Sequence, residues 1–158
     1  MAKIVLARVD DRLIHGQIVN EWISAVNPTH IIIVDDDLVN DRFMSDIYRA
    51  LIPIWLEARI LSLEETLGAL VAMEEDPARI FLLARTPQVF EELVFRGVPL
   101  KELSFADKMY FRNRIPIPRP YQRAMRQMAA RGVKLRAVQH PSDPPEEIVL
   151  NHKSKKTC

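Results

Sequence analysis

The sequence predicts an α/β fold: a single domain with a mostly parallel, open, twisted sheet of about six to seven strands and helices on both faces. Apolar, β-branched runs alternate with amphipathic stretches, which is typical of repeated strand–helix units. Runs such as 31–34 and 80–83 are continuously hydrophobic, as expected for parallel strands buried on both sides. We expect residues 1–150 to form this domain and the hydrophilic residues 151–158 to form a mobile tail.

The predicted elements follow one another along the whole chain. Ser62, with Glu65 three positions later, predicts a capping box at the start of a helix. The segments 106–120 and 141–147 are rich in proline, which predicts a loop or edge strand in the first and an irregular connection in the second. Strands are predicted over 3–8, 30–35, 57–61, 79–84, 101–105 and 133–138, and helices over 16–26, 40–51, 63–74, 87–96 and 119–131.

Composition excludes several classes of protein. The 22 basic and 21 acidic residues nearly balance, which argues against a general nucleic-acid or membrane surface. No apolar run approaches the roughly 20 residues needed to cross a bilayer, and no signal-peptide pattern is seen. The single cysteine, Cys158, allows no internal disulfide and no zinc site, and no two histidines share metal-ligand spacing. We therefore expect a cytoplasmic protein without a bound metal.

Residues 8–17 join the first predicted strand to the first predicted helix, so His15 should lie at the carboxyl edge of the sheet, where ligands usually bind. A neutral imidazole with a free lone pair can accept a phosphoryl group. The cations of Arg8 and Arg12 would disfavour the imidazolium form and attract the incoming group. The following helix N-terminus offers backbone N–H groups, and Gly16 leaves room for a partner.

Several side chains of this loop have two interpretations. Either Asp10 or Asp11 can orient the imidazole by accepting a hydrogen bond from its non-reacting nitrogen. Asp11 equally suits a salt bridge within the loop, and Arg8 equally suits a structural role beside a carboxylate. Leu13 and Ile14 suit either a docking surface or burial in the core.

Two further polar segments should reach the same edge of the sheet. Thr86 is placed to cap a helix with Pro87 at its first position; alternatively, Thr86 or Arg85 contacts a phosphate near His15. The acids at 35–37 would suit nucleotide binding, but the required glycine-rich turn after the first strand is absent. Helix capping and solvent contact are expected for them instead.

Residues 8–19 read RVDDRLIHGQIV, which resembles the active-site loop of the IIB components of the mannose/fructose/sorbose family of the sugar phosphotransferase system. The resemblance continues through THIIIVDDDLVND, RIFLLARTPQVFEELVFRGVPLKEL and RGVKLRAVQHPSDPPEEI, and it covers roughly residues 3–150. It implies that His15 is the phosphorylated histidine, that Arg12 assists transfer and that Asp10 organises the loop.

The resemblance implies a phosphocarrier, a protein-N(π)-phosphohistidine–sugar phosphotransferase. Such a domain takes a phosphoryl group from a IIA partner and passes it to a sugar held by the membrane IIC/IID permease, with which it associates peripherally from the cytoplasm. No metal or cofactor is implied, and a homodimer is left open. Residues 104–109 read SFADKM where many relatives carry a glycine pair. This departure motivates an alternative, a phosphorylated regulatory module of the same fold that modifies no sugar.

Overall fold

The structure, a computed structural model, describes residues 1–106 and 117–150. Within these residues one mixed sheet of seven strands has the order β3-β2-β4-β1-β5-β6-β7. Every pairing is parallel except that of β6 with β7. The predicted fold class is confirmed. The strands are β1 Lys3–Val9, β2 His30–Val34, β3 Glu57–Leu61, β4 Arg79–Ala84, β5 Glu102–Phe105, β6 Lys134–Ala137 and β7 Glu146–Glu147.

The helices lie close to their predicted positions. The predicted helix over 16–26 forms, but its middle is a π-helix at Ile18–Trp22, a wide turn that often occurs at functional sites. The Ser62 capping box is present with both of its hydrogen bonds. The helices are α1 Ile23–Val26, α2 Arg42–Leu51, α3 Leu63–Ala72, α4 Pro87–Phe95 and α5 Arg119–Ala130, and a 3-10 turn spans Leu38–Asn40.

The sheet separates two hydrophobic cores because alternate residues of each strand point to opposite faces. On β4, Ile80 and Leu82 belong to the core beneath α3, α4 and α5, whereas Phe81 and Leu83 belong to the core beneath α1 and α2. The continuous apolar run of β4 is explained by this burial on both sides.

The carboxyl end of β1 lies in the middle of the sheet. Val9 pairs with Ala84 of β4 on one side and with Phe105 of β5 on the other. The connections that leave these two neighbouring strands run to opposite sides of the sheet. The chain after β1 continues to β2 on one side, and the chain after β5 continues to β6 on the other. Such divergence between neighbouring strands opens the crevice in which ligands of open α/β sheets bind. The loop that carries His15 starts at this point.

One strand was not predicted. The connection expected over 141–147 ends in β7, two residues that pair antiparallel with Arg136 and Ala137. Two acidic residues have no hydrophobic alternation, so the sequence pattern carries no signal for this strand. Most of the predicted irregular segment 106–120 and all of the predicted tail lie outside the described residues.

Candidate active site

The loop after β1 is folded around the carboxylate of Asp10, which is only 2% exposed. The backbone N–H of Arg12 donates to Asp10 Oδ1 at 3.0 Å, which is the geometry of an Asx turn. The backbone N–H of Leu13 donates to the Asp10 carbonyl at 3.1 Å. One residue therefore closes the turn with its side chain and with its backbone.

Leu13 takes a left-handed backbone conformation with φ of 54°. This conformation costs a non-glycine residue roughly 1–2 kcal/mol, and burial of the side chain offsets the cost. Leu13 and Ile14 are both buried, at 0% and 3% exposure, in the core beneath α1 and α2. The interpretation of these residues as a docking surface is wrong, because the turn directs them into the protein.

His15 is held through one ring nitrogen. Its Nε2 lies 2.7 Å from Asp10 Oδ2, and because a carboxylate oxygen only accepts, Nε2 carries the proton. Nδ1 has no hydrogen-bond partner among the described residues. The imidazole is 19% exposed, enough to be reached from outside. A neutral ring fixed in this way presents its lone pair on Nδ1.

Two other histidines lie within the described ranges, and they differ from His15. His30 has both nitrogens engaged, Nε2 by Glu57 at 2.9 Å and Nδ1 by the Thr29 hydroxyl at 2.8 Å. His140 has its Nδ1 2.7 Å from Glu21. Of the three, only His15 lies in the crevice with a free Nδ1.

Arg12 shares the carboxylate with His15. Its Nε lies 3.3 Å from Asp10 Oδ1 and its Nη2 lies 3.5 Å from Oδ2, the oxygen that also contacts the imidazole. The Arg12 side chain is 54% exposed. The guanidinium is therefore anchored beside His15 while much of it faces solvent, where an anionic group would arrive.

Arg8 lies beneath the loop and is fully buried. Its Nη1 donates to the Ser104 hydroxyl at 2.7 Å, a contact that follows from the direct pairing of these two residues between β1 and β5. The guanidinium carbon lies 4.1 Å from the centre of the Trp22 ring, a cation–π arrangement. Burial lowers the pKa of Arg8 to about 10, and the Asp10 charge opposes this shift. The Arg8 guanidinium is therefore still charged at neutral pH. Because it is buried, it influences the loop around His15 through its electrostatic field and not through contact with solvent.

The carbonyl of Gln139 ties the far side of the loop to the sheet. It accepts hydrogen bonds from Arg8 Nη2 at 3.4 Å, Gln17 Nε2 at 2.8 Å and Trp22 Nε1 at 3.3 Å. Sequence reasoning missed Trp22 and Gln139, and although it singled out residues 104–109 it did not pair Ser104 with Arg8, because a short motif does not show which side chains meet in the fold. Together they fix the helix that follows His15 against the end of β6.

Shortening Arg8 tests whether the buried cation is a structural or an electrostatic element. We expect Arg8→Ala to lower the free energy of unfolding by about 3 kcal/mol, since it leaves a cavity over Trp22 and an unpaired Ser104 hydroxyl. Arg8→Met fills most of that space, and we expect it to cost about 1 kcal/mol or less. Urea unfolding of both variants gives the two values. Equal losses would show that packing at Arg8 contributes little.

The remaining residues of the loop are exposed. Asp11 lies at the surface and has no ion pair with any described residue, so the predicted salt bridge within the loop is not seen. Gly16 begins the helical segment, and a Cβ atom built there would meet only Asn20 Nδ2, at 3.8 Å. The fold itself therefore does not require glycine at this position.

Arg85 and Thr86 follow β4 but lie in a neighbouring crevice. Arg85 Nε pairs with Asp35 at 3.0 Å, and both residues line a cavity of about 260 Å³ together with Thr86. Thr86 occupies the N-cap position of α4 with Pro87 at the first turn, yet its hydroxyl makes no capping hydrogen bond. Contact of Arg85 or Thr86 with a phosphate on His15 stays a prediction.

The predicted capping role is confirmed for Asp35 and Asp36, whereas Asp37, at the N-cap of the 3-10 turn, makes no side-chain capping hydrogen bond. Asp35 Oδ1 accepts from the backbone N–H of Leu38 at 2.8 Å, at the start of the 3-10 turn. Asp36 Oδ1 accepts from the backbone N–H of Leu63 at 2.8 Å, at the start of α3. These carboxylates serve the backbone rather than a nucleotide.

Residues 1–106 and 117–150 show neither a metal site nor a membrane-spanning helix. No group of three or more histidine, cysteine, aspartate or glutamate side chains is arranged to hold a metal ion. None of the helices found there combines the length and the apolar character required to cross a membrane.

Comparison with known proteins decides the family. The family model for the sorbose subfamily IIB component of the phosphotransferase system (PTS) matches residues 4–157. The chain belongs to this family. The PTS fructose-specific EIIB component of Bacillus subtilis (strain 168) is 30% identical over 155 residues, which cover 94% of this chain and 95% of that protein. The crystal structure of the IIBSor domain of the sorbose permease from Klebsiella pneumoniae matches with a TM-score of 0.82 and 28% identity, covering 91% of this chain and 92% of that one.

A third relative contains the IIB unit within a longer protein. The PTS mannose-specific EIIAB component of Escherichia coli (strain K12) is 26% identical over 147 residues, which are 89% of this chain and 46% of that protein. The three relatives are named for three different sugars, fructose, sorbose and mannose. Their sugar specificity is therefore not among the properties that these IIB units have in common.

Membership of the PTS IIB family sets the function class. IIB components are phosphotransferases of sugar transport that work with IIA components and IIC/IID permeases. The predicted phosphocarrier class is therefore confirmed. Because the relatives are sugar-specific transport components, the alternative of a regulatory module that modifies no sugar is not favoured.

The departure from the family pattern at 104–109 falls partly within a strand. Ser104 and Phe105 belong to β5 and are buried, and Ala106 is also buried directly after it. Ser104 and Phe105 both lie within the predicted strand 101–105 and pair with β1 in the sheet. Residues 107–109 lie outside the described residues.

Proposed function

We propose that His15 carries the phosphoryl group of this IIB component on Nδ1. The group comes from a phosphohistidine of the IIA partner and passes to a sugar presented by the IIC/IID permease. The observation that supports this most strongly is the 2.7 Å contact of Nε2 with Asp10. In the neutral imidazole this contact holds the proton on Nε2 and leaves the lone pair on Nδ1, which has no hydrogen-bond partner among the described residues.

The proposed transfer is an in-line displacement between two imidazoles. The Nδ1 lone pair of His15 attacks the phosphorus, and the bond from phosphorus to the donor nitrogen breaks with its electron pair staying on the donor ring. The proton on Nε2 stays hydrogen-bonded to Asp10 throughout. In the second step the sugar hydroxyl oxygen attacks phosphorus and releases its proton to water, and Nδ1 leaves with the bonding pair as a neutral imidazole. No general base is needed at His15, so positioning and charge supply the catalysis.

The cations around His15 stabilise the charge that spreads over the phosphoryl oxygens. Arg12 is half-exposed and anchored on the same carboxylate, and its planar fork fits two phosphate oxygens. Backbone N–H groups of the first helical turn after His15 have no helical acceptor and offer further donors. Arg8 adds positive potential from below, where the low dielectric of the core weakens screening.

Asp10 balances these cations. Its carboxylate contacts Arg12 and His15 and lies in the field of Arg8, so one negative charge offsets part of the positive potential. As the phosphoryl group arrives and brings negative charge, Arg12 can exchange one of its long contacts with Asp10 for the phosphoryl oxygens. The contacts of 3.3 and 3.5 Å are long for charge-assisted hydrogen bonds, so little is lost in the exchange.

The cellular location of this reaction follows from the two proteins with which the IIB unit exchanges the phosphoryl group. A IIB unit that meets IIA and the permease in turn works in the cytoplasm at the inner face of the permease. The presence of IIA and IIB in the single name of the EIIAB relative supports direct transfer between these two components. His15 must therefore be reached by two different proteins in succession.

The proposal is tested by following the phosphoryl group itself. The chain is incubated with a phosphorylated IIA component of the same transport system and then digested at alkaline pH, where phosphohistidine survives. Tandem mass spectrometry is expected to locate one phosphoryl group on the peptide that contains His15. An unmodified His15, or a phosphoryl group on another residue, would contradict the assignment.

Gly16→Ala tests whether glycine is required at this position for folding or for the approach of the IIA partner. The structure accommodates the extra methyl group, so stability should stay the same or rise by about 0.5 kcal/mol. Transfer from phosphorylated IIA should slow about ten-fold or more, because the methyl group stands where the donor must approach His15. Gly68→Ala is the matched control, since α3 has open space at that position. Unchanged transfer in Gly16→Ala would show that the donor does not pass this close.

A further inference from the structure

Helix α2 and the turn after it expose a row of large apolar side chains, here called the α2 patch: Phe43, Ile47, Leu51, Ile54 and Trp55. The first three are spaced by four residues and so lie on one face of the helix. Phe43 is 75% exposed and Trp55 is 63% exposed, while Ile54 is fully exposed. Five large apolar side chains exposed within thirteen residues of one helix and the turn after it indicate an interaction site, since single exposed apolar residues are the norm elsewhere.

The α2 patch is separate from the proposed phosphoryl-transfer site. Helix α2 starts after the carboxyl end of β2 and runs back towards the start of β3. Ile54 and Trp55 are separated from β3, which begins at Glu57, only by Leu56, so they lie at the amino edge of the sheet. His15 lies at the opposite, carboxyl edge. A donor protein seated on His15 would therefore leave most of the patch uncovered.

Within residues 1–106 and 117–150, the other large apolar side chains that are exposed do not form such a surface. Val71 stands alone near the end of α3, and Phe95 on α4 is partly covered by the guanidinium of Arg131, 5.1 Å from the ring centre. Both helices pack on the opposite face of the sheet from α2. Scattered residues of this kind are normal on protein surfaces.

We propose that the α2 patch binds the same patch of a second copy of this chain, which gives a two-fold symmetric dimer. The helical row is symmetric about its centre, with Ile47 in the middle and Phe43 and Leu51 four residues away on either side. When two such helices pack antiparallel across a two-fold axis, Ile47 meets the Ile47 of the second copy. Phe43 then meets Leu51 of that copy, and the large ring packs against the smaller aliphatic group.

The area of the α2 patch suits a dimer of moderate stability. Covering five side chains of this size removes on the order of 600 Å² per copy, so two copies bury on the order of 1,200 Å², the lower end of specific interfaces. The five side chains of the α2 patch are aromatic or aliphatic and carry no charge, which is the composition found at the centres of protein–protein interfaces.

The rim of the α2 patch is charged in a way that suits self-association. Asp46 and Arg49 of α2 lie 3.9 Å apart, and Glu57 and Arg59 of β3 lie 2.6 Å apart, so each pair carries both signs. A symmetric interface brings the same rim to itself, which requires balanced charge, whereas an acidic partner or an anionic membrane would favour a rim of one sign. The whole chain has a formal charge of +1, so two copies repel each other little.

The test is the mass of the full-length protein in solution, measured by sedimentation equilibrium from about 5 to 500 µM, a range that covers the weak dimers expected at the lower end of interface sizes. We expect the wild-type mass to approach twice 18.2 kDa as concentration rises. Phe43→Asp and Trp55→Ser should each keep the monomer mass. Both positions are mostly exposed, and an acid in the first turn of α2 favours the helix, so the variants should fold. Val71→Asp is the matched control and should behave as the wild type.

Each outcome decides the proposal. A monomeric wild type at the highest concentration overturns it, as does a dimer that persists in Phe43→Asp. A monomer that instead binds permease-containing membranes, and loses this binding in Phe43→Asp, assigns the patch to a membrane component and also overturns it. Phosphoryl acceptance by His15 is measured in the same variants and should be unchanged, so this result is independent of the proposed function.

Discussion

His15→Ala should abolish the phosphoryl group that the chain acquires from phosphorylated IIA. No other described histidine has a free Nδ1 in the crevice beneath the diverging strands, so no neighbour can replace the acceptor. The fold should survive, because the imidazole is partly exposed and its loss leaves Asp10 with its contacts to Arg12. Incorporation is measured with labelled phosphoryl donor and should fall to background, while thermal unfolding should stay close to that of the wild type.

His140→Ala is the matched control for this variant. His140 also has a ring nitrogen 2.7 Å from a carboxylate and is about half-exposed, but its Nδ1 is the engaged atom and it follows β6. We expect full incorporation in His140→Ala. Label retained in His15→Ala and lost in His140→Ala would transfer the acceptor role to the loop after β6.

Asp10→Asn should slow transfer by about 10³- to 10⁴-fold, by analogy with the handling of histidine tautomers in serine proteases, where the equivalent change costs about 10⁴ in kcat. The Asx turn keeps an amide oxygen facing the backbone N–H of Arg12, since that position requires an acceptor. The amide NH₂ then takes the place of Oδ2 and donates to Nε2 of His15. The ring proton is forced onto Nδ1, and the lone pair that attacks phosphorus is lost.

The control for charge is Asp76→Asn, which removes the same negative charge from an exposed position between α3 and β4. Its transfer rate should match that of the wild type. Single-turnover transfer from phosphorylated IIA gives both rates. If Asp10→Asn stayed within ten-fold of the wild type, Asp10 would be a structural residue and not the group that sets the tautomer of His15.

The sequence predicted the fold and the position of the loop because both follow from local patterns. Parallel strands read as apolar runs, and a loop that follows a central strand must emerge at the carboxyl edge. The choice between Asp10 and Asp11 could not be made in this way. It depends on the turn closed by Leu13, whose left-handed backbone directs Asp10 inwards and Asp11 to the surface.

The burial of Arg8 could have been predicted from the sequence. Arg8 lies inside a strand of a parallel sheet, and such strands are covered on both faces, so a charge there must find partners in the core. Those partners, Ser104 and Trp22, come from distant parts of the chain. Their identity depends on the register of β1 with β5 and on the π-helix, and neither is encoded in a short motif.

The α2 patch illustrates the opposite case. Helix α2 has two adjacent apolar rows, one formed by Met44 and Tyr48 and the other by Phe43, Ile47 and Leu51. The structure packs the first row against the sheet and leaves the second in solvent. A sequence alone does not distinguish a helix with a wide buried face from one with a buried face and a docking face, because both show the same periodicity.

The nitrogen that carries the phosphoryl group can be identified by NMR of the phosphorylated chain with ¹⁵N-labelled histidine, through the ³¹P coupling and ring-nitrogen shifts of His15. The geometry at Asp10 predicts phosphorus on Nδ1 with a proton still on Nε2. Phosphorus on Nε2 of His15 would mean that the imidazole turns away from Asp10 to react, and it would contradict the account given above.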